Sequence, residues 1–191
     1  GIMVNTDEES MRYGSSKFEI QELQPEIAKT IVNLNVGEIS KPFVMNNRQG
    51  KEVVAGVVYN PYLDEIFYAI KGQGAFCNGK KISVSSQPMS NALILFGSAP
   101  YNKELFPKTM EILSEYFYKA LDIRRGGSAA LDLCYVACGR AELYFELVVS
   151  PWDFAAGKLL VEEAGGVVTS FEGEALSFEG KTSILAKNNV I

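Results

Sequence analysis

The apolar positions change their period several times along the chain, and each change marks an element. From residue 52, EVVAGVVYNPYLDEIFYAI sets two β-branched and aromatic runs, 53 to 59 and 65 to 70, around the turn-forming NPYLD. That arrangement predicts a hairpin, and KGQGAFCNGKKISVS extends it through two glycine-bearing turns. ALILFG, 92 to 97, reads as a short buried strand, while Met110, Leu113, Phe117 and Leu121 recur at helical spacing through 105 to 121. ALDIRR predicts a strand leading into GGSAALDLCYVACG, a helix that Ser128 caps and Gly139 ends. RAELYFEL, VVTSFEGE and TSILAKNN predict three more strands, and SPWDFAAGKLLVEEAGG another helix.

Residues 1 to 50 are less regular, with a helix expected around 19 to 32, interrupted by Pro25, and a polar turn at NNRQGK. Alternating strands and helices predict an α/β, layered α+β architecture. No repeat or low-complexity linker divides the 191 residues, which predicts one domain over 1 to 191 with an atypical first 50 residues.

Composition narrows the chemistry. A net charge of −5 with dispersed acidic residues leaves no basic face, so neither nucleic acid nor an anionic membrane is an expected partner. No apolar run approaches the roughly 18 residues of a membrane span, and GIMVNTDEES lacks the regions of a signal peptide. A soluble, cytoplasmic protein is expected. Cys77, Cys134 and Cys138 form no CxxC pair, which suits a reducing compartment, and Cys134 and Cys138 read as small buried residues. The chain has no histidine. Ser-His-Asp and Cys-His catalysis and His-ligated zinc are thereby excluded, leaving carboxylates, lysine, hydroxyls, backbone dipoles and bound ions.

Three places collect such groups. Ser150, Pro151 and Asp153 suit a helix start, with Ser-x-x-Asp resembling a capping box. A first-turn carboxylate can equally hold a divalent cation against a phosphate, because free helix N–H groups favour anions. In GGSAALDL two glycines allow a ligand close to the next helix start, or simply precede a capped helix. Glu146, read as the end of its strand, precedes Asp153 by seven positions, so one strand-to-helix connection can bring both carboxylates to a cleft; solvated charges are the plain alternative. The acidic run Asp7, Glu8, Glu9 is either a solvated surface or a source of metal ligands.

Taken in order, GVVYNPYLDEIFYAIKGQGAFCNGKKISVS, RRGGSAALDLCYVACGRAELYFE and SPWDFAAGKLLVEEAGG resemble the inositol monophosphatase family of Mg²⁺-dependent, lithium-sensitive phosphatases. The match covers roughly residues 52 to 191, and WDxAAGxxxxxEAGG is its most specific part. The resemblance implies the inositol monophosphatase/fructose bisphosphatase fold, without its leading helices and final helix. It implies that Asp153 ligates a metal and contacts a substrate hydroxyl. Gly127, Ser128 and Ala129 would line the substrate site, and Glu146 would hold an inositol hydroxyl. DEES at 7 to 10 resembles the family's Gly-Glu-Glu-Ser segment, making Glu8 a metal ligand with Glu9 beside it.

One family motif, Asp-Pro-Ile-Asp-Gly-Thr, is absent from the chain. Aligning Asn33 and Leu34 in PEIAKTIVNL with the family's Asn-Phe puts Glu26 and Lys29 at its two aspartate positions. Glu26 still offers metal-binding oxygens, whereas Lys29 at about 4 Å would cost a divalent ion on the order of 8 kcal/mol at an effective dielectric near 20. The implied activity is hydrolysis of a small phosphate monoester, an inositol phosphate or related sugar or polyol phosphate, by Mg²⁺-activated water, with Glu8 and Asp153 catalytic. A homodimer is expected. The competing expectation is a catalytically degenerate member that binds a ligand or another subunit.

Overall fold

The computed structural model describes strands β1 (Ile2–Asn5) and β2 (Phe43–Asn46) and then residues 52–191. The helix expected around 19 to 32 lies outside the described residues, as do Glu8, Glu26 and Lys29. The apolar run at 53 forms β3 (Val53–Asn60), and the turn after it leads into β4 (Glu65–Ile70). Asn60 holds that turn by accepting the Tyr62 N–H at 3.1 Å, as an Asx side chain at a turn start does. β5 (Gly74–Cys77) and β6 (Lys80–Ile82) continue the meander, so the first sheet has the order β1-β2-β3-β4-β5-β6. β1 and β2 are parallel and the other pairs antiparallel.

The second half alternates as its periodicity predicts. In order come β7 (Leu93–Phe96), α1 (Phe106–Lys119), β8 (Asp122–Arg124), α2 (Ala129–Ala137) and β9 (Leu143–Val149). α3 (Pro151–Glu163), β10 (Val167–Thr169) and β11 (Thr182–Lys187) complete it. The second sheet has the order β10-β11-β9-β7-β8, with β7 parallel to both β8 and β9.

Helices α2 and α3 pack on one another between the sheets, α3 against β3 and β4 on one side and β10 and β11 on the other. The faces of this layer that meet the sheets and one another are apolar, as covered helix faces must be. Leu133, Cys134, Val136 and Phe154 to Ala156 are essentially inaccessible. Small residues in the WDFAAG motif are explained by this packing: a Cβ on Gly157 would meet the Leu133 side chain at 2.5 Å.

On the far face of the second sheet, α1 lies over Ile94, Leu143 and Phe145. Its inward residues are Thr109, Ile112 and Leu113. The stripe expected from spacing is therefore rotated: Leu113 is buried, but Met110, Phe117 and Leu121 are exposed, the last two 65% and 70%. Only one flank of α1 is packed in this cluster among the described residues.

The C-terminal end of α3 is tied to the first sheet by Glu163. Its two carboxylate oxygens accept the Gly72 N–H at 2.7 Å and the Gly74 N–H at 2.8 Å, in the β4–β5 turn. Charged acceptors make stronger hydrogen bonds than neutral ones. Glu163→Ala is expected to lower unfolding stability by about 2 kcal/mol in urea titrations, with Glu163→Gln recovering part of the loss.

Candidate functional site

Glu146 stands within β9, which continues three residues beyond it to Val149, so Ser150 alone joins this strand to α3. The reading of Glu146 as a strand end is corrected by that continuation. Residues 144 and 146 share a strand face by the two-residue repeat. The Tyr144 hydroxyl accordingly donates to Glu146 Oε2 at 2.6 Å. Glu146 Oε1 accepts the Ala99 N–H at 3.1 Å, fastening the loop that follows β7. That loop begins with Gly97, where a Cβ would fall 2.1 Å from the Glu146 carboxyl carbon. Ala99 itself takes a left-handed φ of 41°, an uncommon conformation for a residue with a side chain.

Gly127, Ser128 and Ala129 form the start of α2. Ser128 is the N-cap, and its side chain accepts the Leu131 N–H at 3.4 Å as expected. Gly126 and Gly127 are exposed just before it, so their backbone faces solvent beside the site. Arg125 Nε donates to Ser98 Oγ at 3.1 Å and so links this loop to the one after β7.

Asp153 lies in the first turn of α3, partly exposed. Ser150 occupies the N-cap position with Pro151 at the first helical position, but the Ser150 side chain makes no capping bond. The capping-box expectation is thus corrected. The turn is closed instead by the Asp153 N–H donating to the Ser150 carbonyl at 2.9 Å, leaving the Asp153 carboxylate without a capping duty on the Ser150 side.

Two residues of this region escape the motif reading. Asp132 sits four positions into the otherwise apolar α2 and is only 2% exposed. Burial, followed by the neighbouring Glu146 charge, raises its pKa from 3.8 to about 7, against the opposing pull of the Gly127 N–H and Arg125. Tyr144 is inaccessible, and its hydroxyl is pushed well above its ordinary range first by burial and then by Glu146, with Asp132 and Asp153 adding smaller shares. One phenol therefore feels three carboxyls, from β9, α2 and α3. One acid inside an apolar helix does not by itself single out Asp132, and the only sequence signal for Tyr144 is its i, i+2 relation to Glu146.

Among the described residues, no group of three or more His, Cys, Asp or Glu side chains is spaced to hold a metal. Asp153 offers the hard oxygen that Mg²⁺ prefers, but Mg²⁺ coordination is not completed by the described residues alone. All three cysteines are free, and Cys134 is fully buried. No helix among the described residues is long and apolar enough to cross a membrane.

The chain is 45% identical over 126 residues to Nus factor SuhB of Escherichia coli, covering 65% of this chain and 47% of that protein. The chain thus spans about half the length of the curated relatives it matches. The crystal structure of inositol monophosphatase from Anabaena (Nostoc) sp. PCC 7120 superimposes with a TM-score of 0.68 at 39% identity, over 73% of this chain and 56% of that one. SaIMPase-II with inositol monophosphate bound superimposes with a TM-score of 0.66 at 29% identity, over 74% and 54%. Relatives named as Nus factors leave the expectation against nucleic-acid partners without support. The profile of the inositol monophosphatase family matches residues 48–191, and the chain belongs to that family.

Proposed function

We propose that the protein hydrolyses a small phosphate monoester, an inositol phosphate or a related sugar or polyol phosphate, with Mg²⁺. Asp153 serves as a metal ligand and catalytic residue and also meets a substrate hydroxyl. Glu146 accepts a hydroxyl of the polyol, and Gly127, Ser128 and Ala129 line the substrate with backbone. Glu8 and Glu26 supply the remaining metal oxygens, Glu8 acting also in catalysis. Bound Mg²⁺ would polarise the phosphoryl oxygens and activate water, chemistry that needs oxygen ligands and no histidine.

The observation that carries this reading is the Glu146 carboxylate, held by the Tyr144 hydroxyl at 2.6 Å and the Ala99 N–H at 3.1 Å, in the strand that one residue joins to the helix bearing Asp153. Glu146 has one hydrogen bond on each oxygen, and a carboxylate oxygen has capacity for another. A ligand hydroxyl can therefore be accepted without breaking the existing bonds. Helix N-termini favour the phosphate. A cytoplasmic place and a homodimer belong to the same proposal.

A second reading, a family member that binds a ligand or subunit without catalysis, draws on the relatives named Nus factor and on the missing Asp-Pro-Ile-Asp-Gly-Thr motif. Phosphate release from inositol monophosphate, measured with Mg²⁺ and with the metal chelated, separates the two. The enzyme reading expects release only with Mg²⁺, and Glu146→Gln should lower kcat/KM for inositol monophosphate by about tenfold while sparing phenyl phosphate, which has no hydroxyls to bind. Release at the protein-free background, with and without metal, favours the binding protein.

A further inference from the structure

Two carboxyl groups occupy space that glycines leave open. A Cβ on Gly97 would meet Glu146 at 2.1 Å, and one on Gly126 would meet Asp132 Oδ1 at 1.9 Å. Glu146 accepts the Ala99 N–H of the loop that its glycine opens, and Asp132 packs against the loop that Gly126 opens. The Arg125–Ser98 hydrogen bond joins the two loops, so they form one frame. Glu146 is partly open to solvent, whereas Asp132 is 2% exposed and stands behind the frame. A carboxyl is a costly occupant for an apolar helix between two sheets, and packing alone does not account for it.

We propose that Asp132 is a positioning residue: its carboxyl, seated in the space Gly126 leaves open, fixes the 126–128 loop and, through the Arg125–Ser98 link, couples the placement of that loop to Glu146, so that both meet a ligand in one register. The ligand's identity, an inositol or related polyol phosphate, rests on the phosphatase reading; the coupling of loop and carboxyls does not.

The groups facing Asp132 are Glu146 and Tyr144 from β9 and Arg125 from the loop, with Cys134 and Tyr135 following on its own helix. Asp153 acts on the shared Tyr144 hydroxyl from α3. Arg125 alone among these brings positive charge, and it is exposed. Asp132 therefore changes charge near pH 7. Ionised, it acts on the adjoining 126–128 loop as a charged acceptor; protonated, it does so more weakly. Asparagine fixes the second condition at every pH while keeping the shape and an acceptor.

NMR titration of the ligand-free full chain tests the coupling directly. In the wild type, the Gly127 amide and the Glu146 side-chain carboxyl signals are expected to shift with a common midpoint near pH 7; in Asp132→Asn that step should vanish from both. With inositol monophosphate and Mg²⁺, the ratio of variant to wild-type KM should change by about tenfold between pH 6 and 8, the factor equivalent to one pKa unit of coupling. The corresponding kcat ratio should stay flat. A Gly127 amide that does not titrate in the wild type, one that still titrates in Asp132→Asn, or a KM ratio independent of pH overturns the proposal. Absence of turnover by the wild type would overturn the phosphatase reading alone, and the NMR titration would still decide the role of Asp132.

Discussion

Asp132→Asn is expected to stabilise the protein by about 2 to 4 kcal/mol near pH 8 and to change it little near pH 4. The direction follows from where the proton sits. The folded protein raises the Asp132 pKa from 3.8 to about 7, so the unfolded chain gives up this proton first as pH rises. Stability linked to Asp132 is complete below about pH 4 and is lost as pH climbs through 7. One pKa unit corresponds to 1.36 kcal/mol, so a shift of this size costs about 4 kcal/mol in full. The amide avoids that cost and keeps the shape of the side chain against Gly126. Urea unfolding of both proteins across this pH range measures the effect; a variant less stable than the wild type near pH 8 would contradict the assignment of burial as the main cause.

The second large effect is expected at Gly97. Alanine there would put its Cβ 2.1 Å from the Glu146 carboxyl carbon and 2.2 and 2.5 Å from the two oxygens, distances that van der Waals radii forbid. Either the end of β7 moves or Glu146 leaves its place, and in the second case its bonds to the Ala99 N–H and the Tyr144 hydroxyl break. Gly97→Ala is therefore expected to cost about 3 kcal/mol of stability and to lower kcat/KM for inositol monophosphate about a hundredfold, or about 3 kcal/mol of transition-state binding. Gly180 provides the control. A Cβ there meets nothing within 4 Å, and Gly180→Ala should change stability by less than about 0.5 kcal/mol.

The strands of the first sheet were legible because side-chain type and turn chemistry agreed: β-branched runs stood on both sides of NPYLD, and β3 and β4 lie within a residue of the expected bounds. Helix α1 was legible in extent but not in orientation. Spacing identifies an apolar stripe, whereas the covered flank is set by the strands that meet it, β7 and β9, which lie far apart in the sequence. The WDFAAG motif was legible as a functional signature, yet only the structure separates its parts. Gly157 serves the α2–α3 contact and Ala156 lies against Gly56 of β3, and the motif's aspartate stands at the open helix start.

The candidate site divides in the same way. Glu146, Ser128 and Asp153 could be named because family motifs mark them. Asp132 could not, since one acid in ALDLCYVA reads as an ordinary helical residue until Gly126, Gly127 and Glu146 are seen around it. Gly97 gave no signal either: its role is to make room for a residue 49 positions away in the sequence.

The central claim is that Asp153 serves metal-assisted phosphate chemistry rather than helix stability alone. Phosphate release from inositol monophosphate at saturating Mg²⁺, by the wild type and by Asp153→Asn, tests it most directly. Asparagine retains the size and polarity of a first-turn residue but surrenders the charge that a Mg²⁺ ligand needs. The account predicts Mg²⁺-dependent release by the wild type and a rate at least about a hundredfold lower in the variant, with unfolding stability within about 1 kcal/mol. Equal rates in the two proteins, or release by the wild type that persists after Mg²⁺ is removed, would contradict it.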